Sequence, residues 1–350
     1  MTPQAFVLLR AFLILALLFS FTAGFSQTLG GRAAYSFLKL PPSPLLAAAG
    51  GVNVSYAAGE VSLTANNPAL LQKDISKQIN SSFNAFLAGT RAYSLTGALH
   101  STKLATTFGG HIYTFDYGNI AGTDAAGNVV GQFRPLEYVI QVSAAKNYLD
   151  NWTYGLTLKF ISSTLGQYRS SAVAADVGVL FQDTARGFSA SVVVKNMGTQ
   201  LTNYTTEKEE LPFELQAGVT KRLARAPFAF SVTAQHLQTL DIVYNDTAFN
   251  RDNNISAATS VLDKLVTHLI VASHIYAGQN LEATIGYNLL RRRELATGNE
   301  GNGLTGFSAG LRLRLSKLQV TYARTAYQRG VAANLIGITV HLQQLFGLGR

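Results

Sequence analysis

Trp152-Thr-Tyr-Gly-Leu-Thr-Leu-Lys-Phe160 alternates without a break. Trp152, Tyr154, Leu156, Leu158 and Phe160 are apolar, and Thr153, Gly155, Thr157 and Lys159 lie between them. A period of two puts the apolar set on one face of a β-strand, whereas a helix needs repeats near 3.6. The intervening residues decide the kind of sheet. A soluble sandwich would carry Lys, Glu and Asp on its wet face. Here that face carries mostly Gly, Ser, Thr, Asn and Gln with a few Arg, which suits a crowded barrel interior, and the apolar set suits lipid. The pattern returns at Phe307, Ala309, Leu311, Leu313 and Leu315, at Ile336, Ile338, Val340 and Leu342, at Phe213, Leu215, Ala217 and Val219, and at Phe228, Phe230, Val232 and Ala234.

Composition agrees with this reading. Of 350 residues only 13% are charged while 47% are hydrophobic, with 31 Gly, 15 Tyr and 20 Phe. An ordinary soluble domain has about 25% charged residues. Disorder is excluded, because it requires low hydrophobicity and high net charge. After residue 25 no run reaches the 18 or so apolar residues of a membrane helix. The absence of cysteine excludes disulfides, thiolate metal sites, thiol catalysis and lipid attachment through an N-terminal Cys.

Residues 1–26 read as a cleaved signal peptide: Arg10 is the positive flank, 11–19 the apolar core, and Gly24 and Ser26 the small residues before a cut ahead of Gln27. Export of a barrel pattern means the bacterial outer membrane. Fourteen strands are predicted near 76–87, 90–100, 103–116, 134–147, 151–163, 167–182, 185–196, 210–222, 226–237, 263–276, 279–291, 304–315, 317–327 and 333–346. The long connections (117–133, 197–209, 238–262 and 292–303) all follow odd-numbered strands. A transmembrane barrel has short periplasmic turns and longer outer loops, so length follows parity. Both termini are then expected at the periplasmic face. Phe346, in phase with Ile336 and Ile338, is expected in the aromatic girdle. Residues 27–75 are expected to plug the lumen, with Asn67 capping a short helix that starts at Pro68. The predicted fold is thus all-β: a transmembrane antiparallel barrel of about fourteen strands at 76–350, preceded by an N-terminal plug at 27–75.

Several matches to catalytic motifs lack their context. Gly306-Phe-Ser308-Ala-Gly310 fits the nucleophile elbow, but Ser308 lies inside an alternating strand rather than a strand-to-helix turn. Gly301, Gly303 and Gly306 have dinucleotide-fingerprint spacing, yet they precede a strand. Ser36-Phe-Leu-Lys39 and Ser143-Ala-Ala-Lys146 fit S-x-x-K, but no Ser-Asp-Asn or Lys-Thr-Gly occurs. His100, His111, His236, His268, His274 and His341 show no zincin spacing and read as lumen or interface residues. Glu207, Glu209 and Glu210 read as a solvated outer loop. No cofactor, metal or enzymatic activity is expected. The net charge of +9 is spread along the chain, so no nucleic-acid partner is expected, although Lys221, Arg222 and Arg225, or Arg291, Arg292 and Arg293, could meet lipid phosphates.

Asn67-Pro68-Ala69 just before the barrel resembles the Asn-Pro-Ala of FadL-like outer-membrane proteins. The stretches Phe37-Leu-Lys-Leu-Pro-Pro-Ser43, Ala47-Ala-Ala-Gly-Gly51 and Asn67-Pro-Ala-Leu-Leu71 are similar to the PorQ family of the type IX secretion system of Bacteroidota, with Lys39 and Pro44 departing from the pattern. That resemblance implies a non-enzymatic component of the attachment complex. It would tether a PorZ-like surface protein beside a sortase-like protease and a PorV-like shuttle barrel, where cargo is joined to lipopolysaccharide. In the outer loop 238–262, Tyr244, Phe249 and Arg251 are the candidate partner contacts, being types enriched at interfaces. The alternative is a FadL-like transporter of hydrophobic small molecules. It needs an apolar pocket behind the plug and a lateral opening, for which Gly109-Gly110 could kink the third strand.

Overall fold

The computed structural model describes residues 33–86, 89–242, 260–295, 303–328 and 330–346. Sixteen strands occur there: β1 (Gln78–Ala85), β2 (Arg91–Ser101), β3 (Thr106–Asp116), β4 (Ile120–Thr123), β5 (Val129–Phe133), β6 (Leu136–Tyr148), β7 (Trp152–Leu165), β8 (Tyr168–Asp183), β9 (Phe188–Thr202), β10 (Glu214–Arg222), β11 (Phe228–Ala234), β12 (Leu269–Ala277), β13 (Leu281–Asn288), β14 (Phe307–Arg314), β15 (Leu318–Gln328) and β16 (Val331–His341). Fourteen of them close into one antiparallel barrel in chain order, β1 pairing with β16; β4 and β5 form a separate hairpin in the connection between β3 and β6. Each barrel strand corresponds to one of the fourteen predicted from alternation. Closure leaves no unpaired edge, which is the condition for a sheet to cross a bilayer.

Alternation sets the two faces. On β7, Leu156, Leu158 and Phe160 point outward and are 41–55% exposed, while Thr157, Lys159 and Ile161 point inward and are buried. Outward aromatics gather near both rims. Trp152 and Phe181 meet at 5.1 Å at one rim, Tyr287 and Phe307 at 4.5 Å at the other. These are the girdles of a membrane barrel. Connections at the first rim, for example 149–151, 184–187 and 278–280, are three or four residues long, whereas those at the second include 117–135, 203–213, 235–268 and 289–306. By the parity argument the first rim is periplasmic and the second faces outward.

Three strand ends differ from expectation for one reason. A strand stops where its neighbours stop. β16 ends at His341, opposite Gln78 at the start of β1, and 342–346 turn into a short helix, so Phe346 is not the end of a strand. β12 begins only at Leu269, opposite Ala234 at the end of β11; the preceding Val261–Thr267 is a helix capped by Ser260, whose side chain accepts from Asp263 N. β13 ends at Asn288, and Leu289–Leu295 is helical. The Gly109-Gly110 kink is also absent: both residues are paired to β2 and β6 without a register shift. The irregularities lie elsewhere, between β8 and β9 and between β15 and β16.

Residues 33–77 run inside the barrel. Ala33 bridges to Glu210, in the outer connection between β9 and β10, and Ala34 N donates to Glu210 O at 3.0 Å. At the other end, Lys77 N donates to Ala98 O at 2.7 Å near the periplasmic end of β2. The segment therefore descends from the outer mouth to the periplasmic rim before β1 begins. The first described residue, Ala33, thus lies at the outer end of the barrel, and the N-terminus expected at the periplasmic face lies outside the described residues. The segment 1–26, expected to be a signal peptide, lies outside the described residues.

Candidate functional site

The inner segment and the lumen wall are built for each other. Asn67 caps the 3-10 turn Pro68–Leu70 by accepting from Ala69 N at 2.9 Å, with Pro68 at the first helical position. The Asn67 amide also donates to Val54 O and to Ser191 Oγ on β9, both at 2.7 Å. The backbone comes this close because two glycines face each other across β7 and β8, Gly155 opposite Gly178. A Cβ at Gly155 would sit 2.6 Å from Pro68 O and 2.5 Å from Ala69 N. On the opposite wall Gly286 and Gly310 receive Ala48 and its neighbours in the same way. Asn67, Pro68 and Ala69 are thus brought together against the wall.

Toward the periplasmic rim the segment is held by a buried ionic group. Arg312 Nη1 donates to Glu60 Oε2 at 2.9 Å, and Arg312 Nη2 also bonds Glu282, its register partner on β13. Arg314 Nη2 reaches the same Glu282 at 2.9 Å. Tyr56 donates to Glu282 at 2.5 Å and stacks on His274 with ring centroids 3.7 Å apart. Arg312 and Glu60 are at most 1% exposed, so this pairing occurs in a low-dielectric interior where each charge depends on its partner. Higher up, Lys159 pairs with Asp176 at 2.6 Å and Lys195 donates to Asn66 Oδ1 at 2.7 Å. Asp176 also accepts from Asn196 N at 2.8 Å, fixing the β9 bulge at which Asn196 takes a φ of +57°.

The outer half of the lumen is apolar. Tyr113, Phe115, Val139 and Ile161 point inward and are covered by Tyr35 and Phe37 of the chain itself. Among the described residues an internal cavity beside the segment has about 30 Å3 and is lined by polar groups including His111, Lys159, Lys195, Glu214 and Gln216. That is room for one or two water molecules. His111 and His274 sit in the wall, where His111 bonds Thr96 Oγ1 at 2.8 Å and His274 bonds Thr284 Oγ1 at 3.1 Å, whereas His236 and His268 lie in the outer connection after β11. No group of His, Asp and Glu suited to a metal occurs among the described residues.

At the outer mouth lies an open recess of about 380 Å3, floored by 33–36 and walled by Tyr117, Glu137, Tyr168, Tyr204 and Glu209. Tyr117 donates to Glu137 Oε2 at 2.5 Å. Burial foremost, then the Glu137 hydrogen bond, pushes the Tyr117 hydroxyl up; burial does the same at Tyr204, so both are neutral phenols. Of the cluster that could meet lipid phosphates, Arg291 and Arg293 bond within the fold, Arg291 to Gly50 O at 3.1 Å and Arg293 to Thr267 Oγ1 at 2.7 Å. Ser308 lies within β14 between Gly286 and Thr325, without the strand-to-helix turn an elbow requires. Tyr244, Phe249 and Arg251 lie outside the described residues.

Sequence reading missed the ionic group and the recess. Arg312 and Glu282 are charged residues in the inward phase of neighbouring strands, a signal that was present. Tyr117 and Tyr204 sit in connections, where periodicity says nothing.

No family model matches the sequence, and no curated protein matches it. Solved structures do share its shape. The toluene transporter TodX of Pseudomonas putida superposes with a TM-score of 0.52 at 8% identity, covering 86% of this chain and 97% of that one. The monoaromatic hydrocarbon channel CymD gives 0.51 at 13% identity, with 86% and 97% covered. The chain is an outer-membrane β-barrel of the fold seen in TodX and CymD. Identity this low carries the fold and nothing of the ligand.

Proposed function

We propose that this is a sealed, non-enzymatic barrel that holds a partner at the cell surface. The carrying observation is the filled lumen. Its apolar patch is occupied by Tyr35 and Phe37 of the chain itself, and among the described residues the enclosed cavities found beside the segment have only about 30 and 10 Å3. A small-molecule site ordinarily needs about 300–1,000 Å3 of mostly apolar cavity. The unbroken pairing of β3 at Gly109 and Gly110 also favours a closed wall. The finer assignment rests on the resemblance of 37–71 to the PorQ family. On that reading the partner is a PorZ-like surface protein of the type IX attachment complex, with a sortase-like protease and a PorV-like shuttle barrel nearby and lipopolysaccharide as the acceptor of cargo. The loop carrying Tyr244, Phe249 and Arg251 is the proposed contact. The test is affinity purification of the tagged barrel from gently solubilised outer membranes. Recovery of a large surface protein and a protease, lost when 238–262 is shortened, supports the reading; recovery of the barrel alone with a stoichiometric apolar compound overturns it.

The second reading is a transporter of hydrophobic small molecules, favoured by the shape shared with TodX and CymD. It requires that the inner segment move. Accumulation of a hydrophobic substrate by proteoliposomes containing the barrel, above that of empty ones, would establish it.

A further inference from the structure

We propose that the outer recess is a receptor site for an organic cation, a guanidinium or ammonium group presented from outside the cell. Six carboxylates are buried among the described residues: Glu60, Asp116, Glu137, Asp176, Glu214 and Glu282. Five have a basic partner within 4.0 Å: Glu60 and Glu282 have Arg312, Asp116 has Arg134, Asp176 has Lys159, and Glu214 has His236. Glu137 has none among those residues, although it is only 3% exposed. Its hydrogen bond comes from the neutral Tyr117 hydroxyl. A buried carboxylate is ordinarily paired, and Glu137 lines a recess open to the outside. A second carboxylate, Glu209, lines the same recess, and among the described residues no Lys or Arg does.

The remaining walls are what a cation recognises. Tyr35, Tyr117, Tyr168 and Tyr204 surround the space, with Tyr35 and Tyr204 centroids 6.2 Å apart and their planes inclined by 39°. Aromatic faces attract a guanidinium or ammonium through the ring quadrupole. Two carboxylates exclude anions, and a neutral sugar would leave Glu137 uncompensated. The walls are fixed before any ligand arrives. Tyr35 OH bonds Ser170 Oγ at 2.5 Å, Gln200 Nε2 donates to Ser170 Oγ at 3.1 Å, and Glu209 N donates to Gln200 Oε1 at 2.7 Å. Preorganisation of this kind lowers the cost of binding. The site stands whether or not the lumen conducts.

The test is calorimetric titration of the full barrel in nanodiscs with N-acetyl-arginine amide, tetramethylammonium and, as the neutral isostere of arginine, N-acetyl-citrulline amide. Saturable binding of the cations, with citrulline weaker by about tenfold or more, is expected. Glu137→Gln and Tyr204→Ala should each weaken it by about tenfold, and Tyr204→Phe, which keeps the ring face, should restore it. Heat-modifiable gel mobility confirms that each variant is folded. An arginine peptide binding more tightly than tetramethylammonium identifies a protein side chain as the source; the reverse order identifies a free quaternary amine. Equal binding of citrulline, or cation binding indifferent to both Glu137→Gln and Tyr204→Ala, overturns the proposal. So does binding that appears only in Arg32→Ala, because the recess would then be the seat of the chain's own arginine.

Discussion

Replacing Arg312 with Met should unseat the inner segment while leaving the barrel wall intact. The magnitude follows from what each partner keeps. Glu282 retains Arg314 at 2.9 Å and the Tyr56 hydroxyl at 2.5 Å. Glu60 retains only hydroxyls, Ser62 Oγ at 2.9 Å and Thr339 Oγ1 at 3.3 Å, and becomes a buried charge without a counter-charge. Breaking a buried pair from one side costs about 3–5 kcal/mol. At about 1.36 kcal/mol per tenfold, the population with the segment released rises by roughly two to three and a half orders of magnitude. The absence of cysteine makes this measurable. A single Ala65→Cys substitution places a thiol at a position 8% exposed, beside the small internal cavity, where the extra sulfur has room. When opening is fast and reversible, its labelling rate by a small methanethiosulfonate follows the open population. Labelling should accelerate by the factor above in Arg312→Met. The double variant Glu60→Gln/Arg312→Met, which removes the stranded charge, should return to within about tenfold of the parent. Labelling of Arg312→Met within about threefold of the parent, or a double variant no slower than the single, would refute the reasoning.

Other substitutions read other parts of the fold. Gly155→Val should displace Pro68 and Ala69, because its Cβ would sit 2.6 Å from Pro68 O, and should speed Ala65→Cys labelling; Gly110→Ala, with nothing within 4 Å of its Cβ, should not. Leu158, 55% exposed on the lipid face of β7, should cost about 2–4 kcal/mol as Arg, measured by equilibrium unfolding from lipid vesicles, if it sits near the bilayer midplane. In the outer hairpin, hydrogen bonds from the Asn128 side chain first, then from backbone amides of Asn128 and Ala126, hold Asp124 below the usual aspartate range. A depressed carboxylate stabilises the turn above its unfolded pKa and loses that contribution as pH falls through its folded one. Amide exchange at 124–128 should therefore stay protected at neutral pH and lose that protection in acid, and Asp124→Asn should abolish the pH dependence.

The wall was legible because membrane and lumen impose opposite demands on alternate residues, and a period-two signal in fourteen strands of seven to sixteen residues is hard to mistake. Strand ends were less legible, because they depend on the partner. Leu342 continues the alternation of Ile336 and Ile338, yet beyond its bond to Lys77 O, at 3.0 Å, the chain before β1 turns away with Lys77 at a φ of +62°, and the last residues curl into a helix. The detailed path of 33–77 was harder to read, although the Asn67 cap at Pro68 was legible. Its contacts fall on single residues of many strands, among them Ser231, Thr220, Glu282 and Ser191, whose spacing in sequence encodes nothing. A partial signal existed in the glycines: Gly155, Gly178, Gly286 and Gly310 all occupy the inward phase, where a barrel needing only a polar lining would carry Ser or Thr as readily. Glycine there indicates that backbone, not water, lies against the wall.

The two functional readings separate on the cost of opening. Phe37, Leu45, Leu46, Leu63 and Leu71 are each at most 2% exposed. Exposing any one costs about 1.5–3 kcal/mol. A solute path through the middle of the barrel would uncover several of them and strand Glu60 as well, so thermal fluctuation does not supply it. A transporter of this build needs a ligand whose binding to the open state repays that difference, because a ligand can shift an equilibrium only by its differential affinity for the two states. An anchoring barrel needs no such ligand, and for it a rigid, filled lumen is an advantage: it fixes the outer connections that a surface partner would grip. Labelling of Ala65→Cys therefore bears on function as well as on stability. A hydrophobic compound that accelerates labelling in the parent sequence would favour transport, and indifference to every such compound would leave the sealed anchor as the reading that accounts for the buried arginine, the glycine seats and the occupied apolar patch together.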